Sequence, residues 1–263
     1  MTVPVLPDLA ALAGRLQARA DNFEPPPLLA SGALTGVTGL TLEASGCAFP
    51  LGARCRLKGP GAKACEAEVV GFRGGQTFLM PVGELGGLRP GGRVLPSPES
   101  DQVAVGEGLL GRVVDALGRP LDEKPLPHLN AVTPLHGRPL NPLLRAPVCE
   151  PLDVGVRAIN AMLTVGRGQR LGLFAGSGVG KSVLLGMMTR FTEADVIVVG
   201  LIGERGREVA DFVHRTLGDA GQQRAVVVAA PADAPPLLRI HGALRATAYA
   251  EYFRDAGCRV LLL

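Results

Sequence analysis

GLFAGSGVGKSVLL, residues 172–185, joins an apolar segment to a glycine-rich turn, a lysine, a hydroxyl residue and a second apolar segment. Against the phosphate-binding pattern G-x-x-x-x-G-K-[ST], residues 175–182 depart only at the first position, where Ala175 replaces glycine. We predict a strand at LGLFA (171–175) and a helix over 180–191, which is the context that the pattern requires. The alternative is a glycine-rich turn with a solvated lysine, and the strand-to-helix context favours a phosphate cradle.

The residue types in this cradle follow from its chemistry. Gly176, Gly178 and Gly180 let successive backbone N–H groups point at phosphate oxygens without obstruction by a side chain. Lys181 is placed to neutralise β- and γ-phosphate charge and Ser182 to ligate Mg²⁺, while the helix N-terminus adds partial positive charge. The predicted nucleotide-binding residues are Gly176, Ser177, Gly178, Val179, Gly180, Lys181, Ser182 and Val183.

Hydrolysis of a bound nucleotide needs a group that orients or deprotonates water. The next predicted strand ends in GLIGERGREVADF (200–212), which places Glu204 on the same rim as the cradle. We predict that Glu204 is the catalytic carboxylate, with Lys181 neutralising phosphate charge beside it and Arg205 as a flanking candidate. Arg207 and Glu208 are flanking candidates, and the alternative is an exposed charged loop at the start of a helix.

Helix and strand patterns alternate over residues 151–263. The predicted strands DVIVVGLIG (195–203), AVVVAA (225–230) and RVLLL (259–263) are separated by the predicted helices REVADFVHRTLG (207–218) and PPLLRIHGALRATAYAEYFRDAG (235–257). Alternation at these lengths predicts an α/β domain with a parallel sheet, whose ligands bind at the carboxyl ends of the strands.

The residues before 151 show a different pattern of apolar residues, glycines and prolines. Short apolar runs cut by glycines over 28–95 predict a small closed β-barrel, since an open sheet of such strands would expose its edges, and Gly74 and Gly75 predict a hairpin turn. Residues 96–150 read as a connecting segment with one strand within GLLGRVVDALG (108–118) and a turn at RPLD (119–122). The predicted fold is therefore mixed, with a helix and linker over 1–27, a barrel over 28–95, the connection, and the α/β domain over 151–263.

The N-terminal segment LPDLAALAGRLQARAD predicts a short amphipathic helix, because Leu6, Leu9, Leu12 and Leu16 recur at helical spacing. Pro25, Pro26 and Pro27 are expected to end it. It could pack on its own domain, or it could serve a partner or a membrane surface.

Composition bounds the remaining possibilities. With 47% apolar residues the chain should fold, and a net charge of +3, no tryptophan and few aromatic residues argue against a nucleic-acid partner. Five cysteines without a C-x-x-C pair suggest neither a metal site nor a full disulfide set, and we interpret them as small buried thiols in a reducing cytosol. No apolar run approaches the length that spans a bilayer.

The combination of GRGQRLGLFAGSGVGKSVLLGMM (166–188), ADVIVVGLIGERGREVADF (194–212) and RVLLL closely resembles the type III secretion ATPases, relatives of the catalytic subunit of F1 ATP synthase, from about residue 28 onward. The stretches VGRGQR (165–170), APADAPPLLRIHGA (230–243) and AEYFRDAG (250–257) are more similar to the flagellar export branch than to the virulence injectisome branch.

The resemblance implies a six-stranded barrel, a RecA-like core and a hexameric ring of identical subunits. It implies MgATP hydrolysis that helps to release export chaperones and unfold their substrates for a proton-driven export gate. It gives Lys181 and Ser182 the phosphate and magnesium roles, Glu204 the role of catalytic glutamate, and Arg205 a supporting contact near the γ-phosphate. It also implies a regulatory stator protein and acidic lipid as partners of residues 1–20, and a cytoplasmic location peripheral to the inner membrane.

The sequence stops at CRVLLL, before the aspartate with which such ATPases help to hold Mg²⁺. We therefore expect a piece of a longer protein, without the adenine-contacting aromatic residue, the arginine finger and the C-terminal helical domain, and with very poor hydrolysis. The alternatives are a nucleotide-binding scaffold without turnover, a rotary ATP synthase catalytic subunit, and a Rho-type nucleic-acid motor. The last is disfavoured, because Phe49, Phe72 and Phe78 are the only aromatic residues of the predicted barrel.

Overall fold

The computed structural model describes residues 9–21, 30–59, 64–83, 86–97, 101–137, 139–176 and 178–263. It begins with helix α1 (Leu9–Asp21), as the leucine spacing predicts, and the side chains of this helix are exposed along its length from residue 10. The prolines predicted to end this helix lie outside the described residues.

Six short strands then close into a barrel, which confirms the prediction for this part of the chain. They are β1 (Gly32–Thr38), β2 (Thr41–Ser45), β3 (Arg54–Lys58), β4 (Cys65–Arg73), β5 (Gln76–Pro81) and β6 (Arg93–Pro96). Their order around the barrel is β1-β2-β5-β4-β3-β6, with every neighbouring pair antiparallel. Gly74 and Gly75 make the β4–β5 turn with φ of 58° and 77°, the left-handed conformation that the hairpin requires.

Inward-facing side chains alternate along the barrel strands and fill the interior. Leu34, Leu42, Leu57, Val69, Leu79 and Val94 are at most 1% exposed. Cys55 and Cys65 are buried with them, and burial raises the pKa of the Cys55 thiol to about 12. Cys47 and Cys258 are partly buried, whereas Cys149 is exposed, so the expectation of buried thiols is wrong for Cys149.

The segment after the barrel contributes more than a connection. Strands β7 (Gln102–Val105) and β9 (Ala131–Pro134) pair with each other, and β8 (Val113–Asp115) joins the parallel sheet of the α/β domain. Strand β8 lies within residues 108–118, where one strand was predicted. Its pairing with the sheet of the α/β domain was not predicted. Strand pairing between residues more than 100 positions apart leaves no local signal.

The second domain is a four-stranded parallel sheet in the order β12-β10-β11-β8. Its elements are α2 (Arg157–Met162), α3 (Lys181–Phe191), β10 (Val196–Ile202), α4 (Gly206–Asp211), α5 (Gly218–Gln223), β11 (Ala225–Ala230), α6 (Pro236–Asp255) and β12 (Val260–Leu262). Alternate residues of β10 and β11 point to opposite faces of the sheet. Val198 and Val228 pack with Tyr249 and Phe253 of α6, whereas Ile197 packs in a separate core on the other face.

Two predictions about individual elements need correction. Residues 171–175 are not a strand, and Leu171 and Leu173 instead line a cavity of about 390 Å³ with Val260–Leu263. No strand in the described residues pairs with this segment. An apolar segment without a neighbouring strand makes no β-sheet hydrogen bonds. The helix predicted over 207–218 is too short and not regular throughout, because α4 is followed by a π-helical segment at Phe212–Leu217 and then by α5, which ends at Gln223. None of the helices in the described ranges combines the length and apolar character needed to cross a membrane.

Candidate functional site

A cavity of about 410 Å³ lies where the glycine-rich turn meets the end of β10. It brings together residues that are more than twenty positions apart in the sequence. Its lining is Ala175, Gly176, Gly178, Gly180, Lys181, Ser182, Val183, Gly203, Glu204, Arg205 and Glu208.

The turn and the helix after it form one wall of the cavity. Gly178 and Gly180 have φ of 79° and 93°, a region that residues with a Cβ adopt only with strain. Gly180 is the N-cap of α3, and no side chain caps the first turn of this 11-residue helix. The leading N–H groups and the positive end of the helix dipole are thus left for an anion, next to Lys181 and Ser182.

The end of β10 forms another wall of the cavity. Gly203 has a φ of 77° and turns the chain out of the strand, while its N–H donates to the carbonyl of Ala230 at 2.7 Å. The carbonyl of Glu204 accepts from the N–H of Ala232 at 3.0 Å. These two backbone bonds anchor Glu204 to the end of the neighbouring strand β11. The backbone at Glu204 is therefore fixed by the sheet.

The charged residues after Glu204 are more exposed. Arg205 Nη1 lies 3.8 Å from Glu208 Oε1, and both side chains are largely open to water, so their mutual attraction contributes little to stability. Glu208 lines the cavity, whereas Arg207 does not. A second cavity of about 240 Å³ is lined in part by Ser182, Glu204 and Glu208.

The structure thus places the predicted residues as follows. Gly176, Gly178, Gly180, Lys181, Ser182 and Val183 share one cavity with Glu204 and Arg205. Val179 is 66% exposed and does not line the cavity, and Ser177 lies outside the described residues. Sequence reasoning did not assign Gly203 or Ala175 to the lining. Gly203 had a signal, because a glycine at the end of a buried strand is where the chain turns.

The arrangement fits a magnesium nucleotide. It offers an uncapped helix N-terminus and a lysine for phosphate charge, a hydroxyl for the metal, and a carboxylate across the cavity. No cluster of three or more His, Cys, Asp or Glu side chains in the described residues could hold a metal by itself. Ser182, beside Lys181 in the lining of the cavity, is the hydroxyl that would contact a magnesium ion bound with the nucleotide.

Residues 155–263 match the family model for the nucleotide-binding domain of the ATP synthase alpha/beta family. The flagellum-specific ATP synthase of Pseudomonas aeruginosa is 55% identical over 242 residues, which cover 91% of this chain and 54% of the relative. That of Salmonella typhimurium is 56% identical over 258 residues, covering 92% and 57%. The chain thus spans about half the length of the curated relatives it matches.

Solved structures of type III secretion ATPases are also similar to this chain. The assembled ATPase EscN of the type III secretion system of enteropathogenic E. coli matches with a TM-score of 0.80 and 40% identity, over 88% of this chain and 55% of EscN. EscN in complex with its central stalk EscO matches with a TM-score of 0.79 over 88% and 56%. The similarity extends through both the barrel and the α/β domain.

Proposed function

Since the chain belongs to the family of flagellar and type III secretion export ATPases, we propose that it carries the ATP-binding and hydrolytic centre of a protein-export ATPase. The observation that carries the proposal is the shared cavity of about 410 Å³, which is lined by Lys181, Ser182 and Glu204. Identity is 55–56% with two flagellar relatives and 40% with EscN, which supports the flagellar branch over the injectisome branch.

Each residue has a distinct role in the proposed reaction. Lys181 and the N–H groups at the start of α3 hold the β- and γ-phosphates in place. Glu204 orients the attacking water and accepts its proton, and Arg205 supports the γ-phosphate. Mg²⁺, when bound, would neutralise charge on the β- and γ-phosphates, and Ser182 is the residue that would hold it. Two backbone hydrogen bonds at the end of β10 hold the backbone at Glu204 beside the cavity.

The proposed binding partners are supported by the solved structures of EscN and by the exposed helix α1. EscN was solved as an assembly and with a central stalk, which supports a homo-oligomer and a regulatory partner for this chain, and we propose a hexameric ring. The exposed α1 supports a stator protein or acidic lipid at residues 1–20. Chaperone–substrate complexes as cargo, and a cytoplasmic location peripheral to the inner membrane, complete the proposal.

Single-turnover MgATP hydrolysis and equilibrium nucleotide binding test the proposal together. Lys181→Ala should weaken binding about 10- to 100-fold, because it removes charge-assisted contacts to phosphate. Glu204→Gln should retain binding and reduce turnover about 10²- to 10⁴-fold. Lys58→Ala, at an exposed lysine of the barrel, is the matched control and should change neither quantity.

The outcomes separate the alternatives. Binding that depends on Lys181 without any measurable turnover would favour a nucleotide-binding scaffold. Turnover that survives Glu204→Gln would remove Glu204 from the catalytic role. Binding that is indifferent to Lys181→Ala would contradict the phosphate cradle itself.

A further inference from the structure

A buried polar joint connects the barrel to helix α6. His241, in the second turn of α6, is 2% exposed. Its Nδ1 lies 2.8 Å from Arg54 Nη2 in β3, and its Nε2 lies 2.8 Å from Glu68 Oε2 in β4. We call Arg54, Glu68 and His241 the barrel joint.

The chemistry of the three groups fixes the state of the imidazole. A guanidinium group has N–H donors and no acceptor, so Nδ1 of His241 must accept from Arg54. The ring proton is then on Nε2, where it is donated to the carboxylate of Glu68. His241 is therefore neutral in the joint, as the Nε2–H tautomer.

The surroundings oppose a second positive charge. Burial lowers the pKa of Arg54, with the carboxylates of Glu66 and Glu68 acting against this effect and the guanidinium groups of Arg245 and Arg119 adding to it. Arg54 Nε is itself buried without a hydrogen-bond partner among the described residues. Arg54 and Glu68 contact the His241 ring directly, and the further charged groups close to Arg54 are Glu66, Arg119 and Arg245.

The joint lies beside the strand end that carries Glu204. A Cβ on Gly242, the residue after His241, would stand 2.8 Å from Ile202 Cδ1 and 3.0 Å from Ala230 Cβ. Ile202 ends β10, and Ala230 accepts the hydrogen bond from Gly203 N–H. The first half of α6 is thus packed on the sheet edge that holds Glu204, while His241 holds the barrel to α6.

We propose that His241 is an acid-sensitive lock between the barrel and the α/β domain, closed when the imidazole is neutral. Protonation of Nδ1 places two donors against each other at the Arg54 contact, so the contact must open. Because the closed joint binds fewer protons than the open one, closure weakens as the pH falls. The proposal is independent of whether the chain hydrolyses ATP.

Hydrogen exchange of the whole chain tests the lock. Amide protection in β3, β4 and residues 236–245 is compared at about pH 8 and about pH 5.5, after correction for the intrinsic effect of pH on exchange. His241→Gln is the key variant, because a glutamine amide can accept from Arg54 and donate to Glu68 but does not titrate. The exposed His214→Gln is the matched control.

The expected result is a loss of protection at the joint in the acidic sample, of up to about tenfold per pH unit. The His214→Gln protein should behave like the parent, whereas His241→Gln should keep its protection. Equal loss in the parent and in His241→Gln, or no loss in the parent, would overturn the proposal. If His241→Gln does not fold, ¹⁵N NMR of the parent decides: a protonated Nδ1 at neutral pH contradicts the lock, and an unprotonated Nδ1 that gains a proton as protection is lost supports it.

Discussion

Arg112, which directly precedes strand β8, forms a bidentate ion pair with Asp122, seven residues after the end of that strand. Arg112 donates from Nε and Nη2 to the two carboxylate oxygens at 2.7 and 2.9 Å, and Nη2 also donates to the carbonyl of Pro125 at 2.7 Å. The side chains are 10% and 7% exposed. Because the fork also binds a backbone carbonyl, it fixes the path of the chain from β8 through the turn at Asp122.

Arg112→Ala is predicted to destabilise the protein by about 3–5 kcal/mol, because it leaves the Asp122 carboxylate enclosed without its cation. Arg112→Lys should cost less, since it keeps the charge but cannot form the fork. Urea unfolding followed by circular dichroism measures both variants. A loss below about 1 kcal/mol for Arg112→Ala would show that water reaches the carboxylate and that the pair contributes little.

At the scale of elements, helix α3 approaches the π-helical segment so closely that only glycine fits between them. A Cβ on Gly186 would stand 1.8 Å from Thr216 Cγ2. Gly186 lies in the middle of α3, which begins at Lys181, and Thr216 lies in the segment that follows α4. This contact sets the spacing between the helix that carries the phosphate-binding residues and the helices that follow Glu204.

Gly186→Ala is therefore predicted to destabilise the protein by about 1–3 kcal/mol through overpacking, despite the better helix propensity of alanine. Thr216→Ser removes the obstructing methyl group, so the double variant should recover most of the loss. The four proteins of this double-mutant cycle are compared by urea unfolding. Strictly additive effects of the two changes would contradict a direct contact.

Local patterns determined which elements could be predicted. Strand β11 and helix α6 were predicted to within two residues, because a buried six-residue apolar run and a long helical stretch leave clear signals. The segment 171–175 is also apolar, but no strand in the described part of the chain pairs with it. The prediction of a strand there, made from apolar composition alone, was therefore wrong. The π-helical segment packs against α3 at Gly186, thirty positions away from Thr216, and no local pattern indicates that approach.

At the scale of the whole molecule, the closed barrel and the parallel sheet could be predicted, because both follow from strand length, glycine spacing and alternation with helices. The shared cavity could be anticipated in part, since parallel strands bring their carboxyl ends to one edge. The barrel joint could not, because nothing in the sequence near Arg54, Glu68 or His241 indicates that they meet. Long-range polar contacts depend on how the two domains are docked, which local patterns do not encode.

The carboxylates of Asp122 and Asp195 form ion pairs at opposite edges of the parallel sheet, and they make the free energy of unfolding depend on pH in the acid range. Arg112 beside Asp122 lowers the pKa of that carboxyl to about 2, and Arg259 beside Asp195 does the same for Asp195, against an ordinary value of 3.8. Asp122 lies next to β8 at one edge, and the Asp195–Arg259 pair joins the starts of β10 and β12 at the other. Both carboxyls have a lower pKa in the folded protein than in the unfolded chain. Their stabilisation is therefore present above about pH 4 and is lost as the pH falls towards 2.

Urea unfolding at a series of pH values between 7 and about 2, in low salt and in about 0.5 M salt, should separate the two carboxylates. Asp122→Asn is predicted to remove about 2 kcal/mol of the acid-dependent change in the free energy of unfolding, with little effect of salt, because that pair is enclosed. Asp195→Asn should flatten the same part of the curve in low salt only, since its pair is 44% exposed on both sides and is screened. An acid dependence that is unchanged in Asp122→Asn would contradict the assignment.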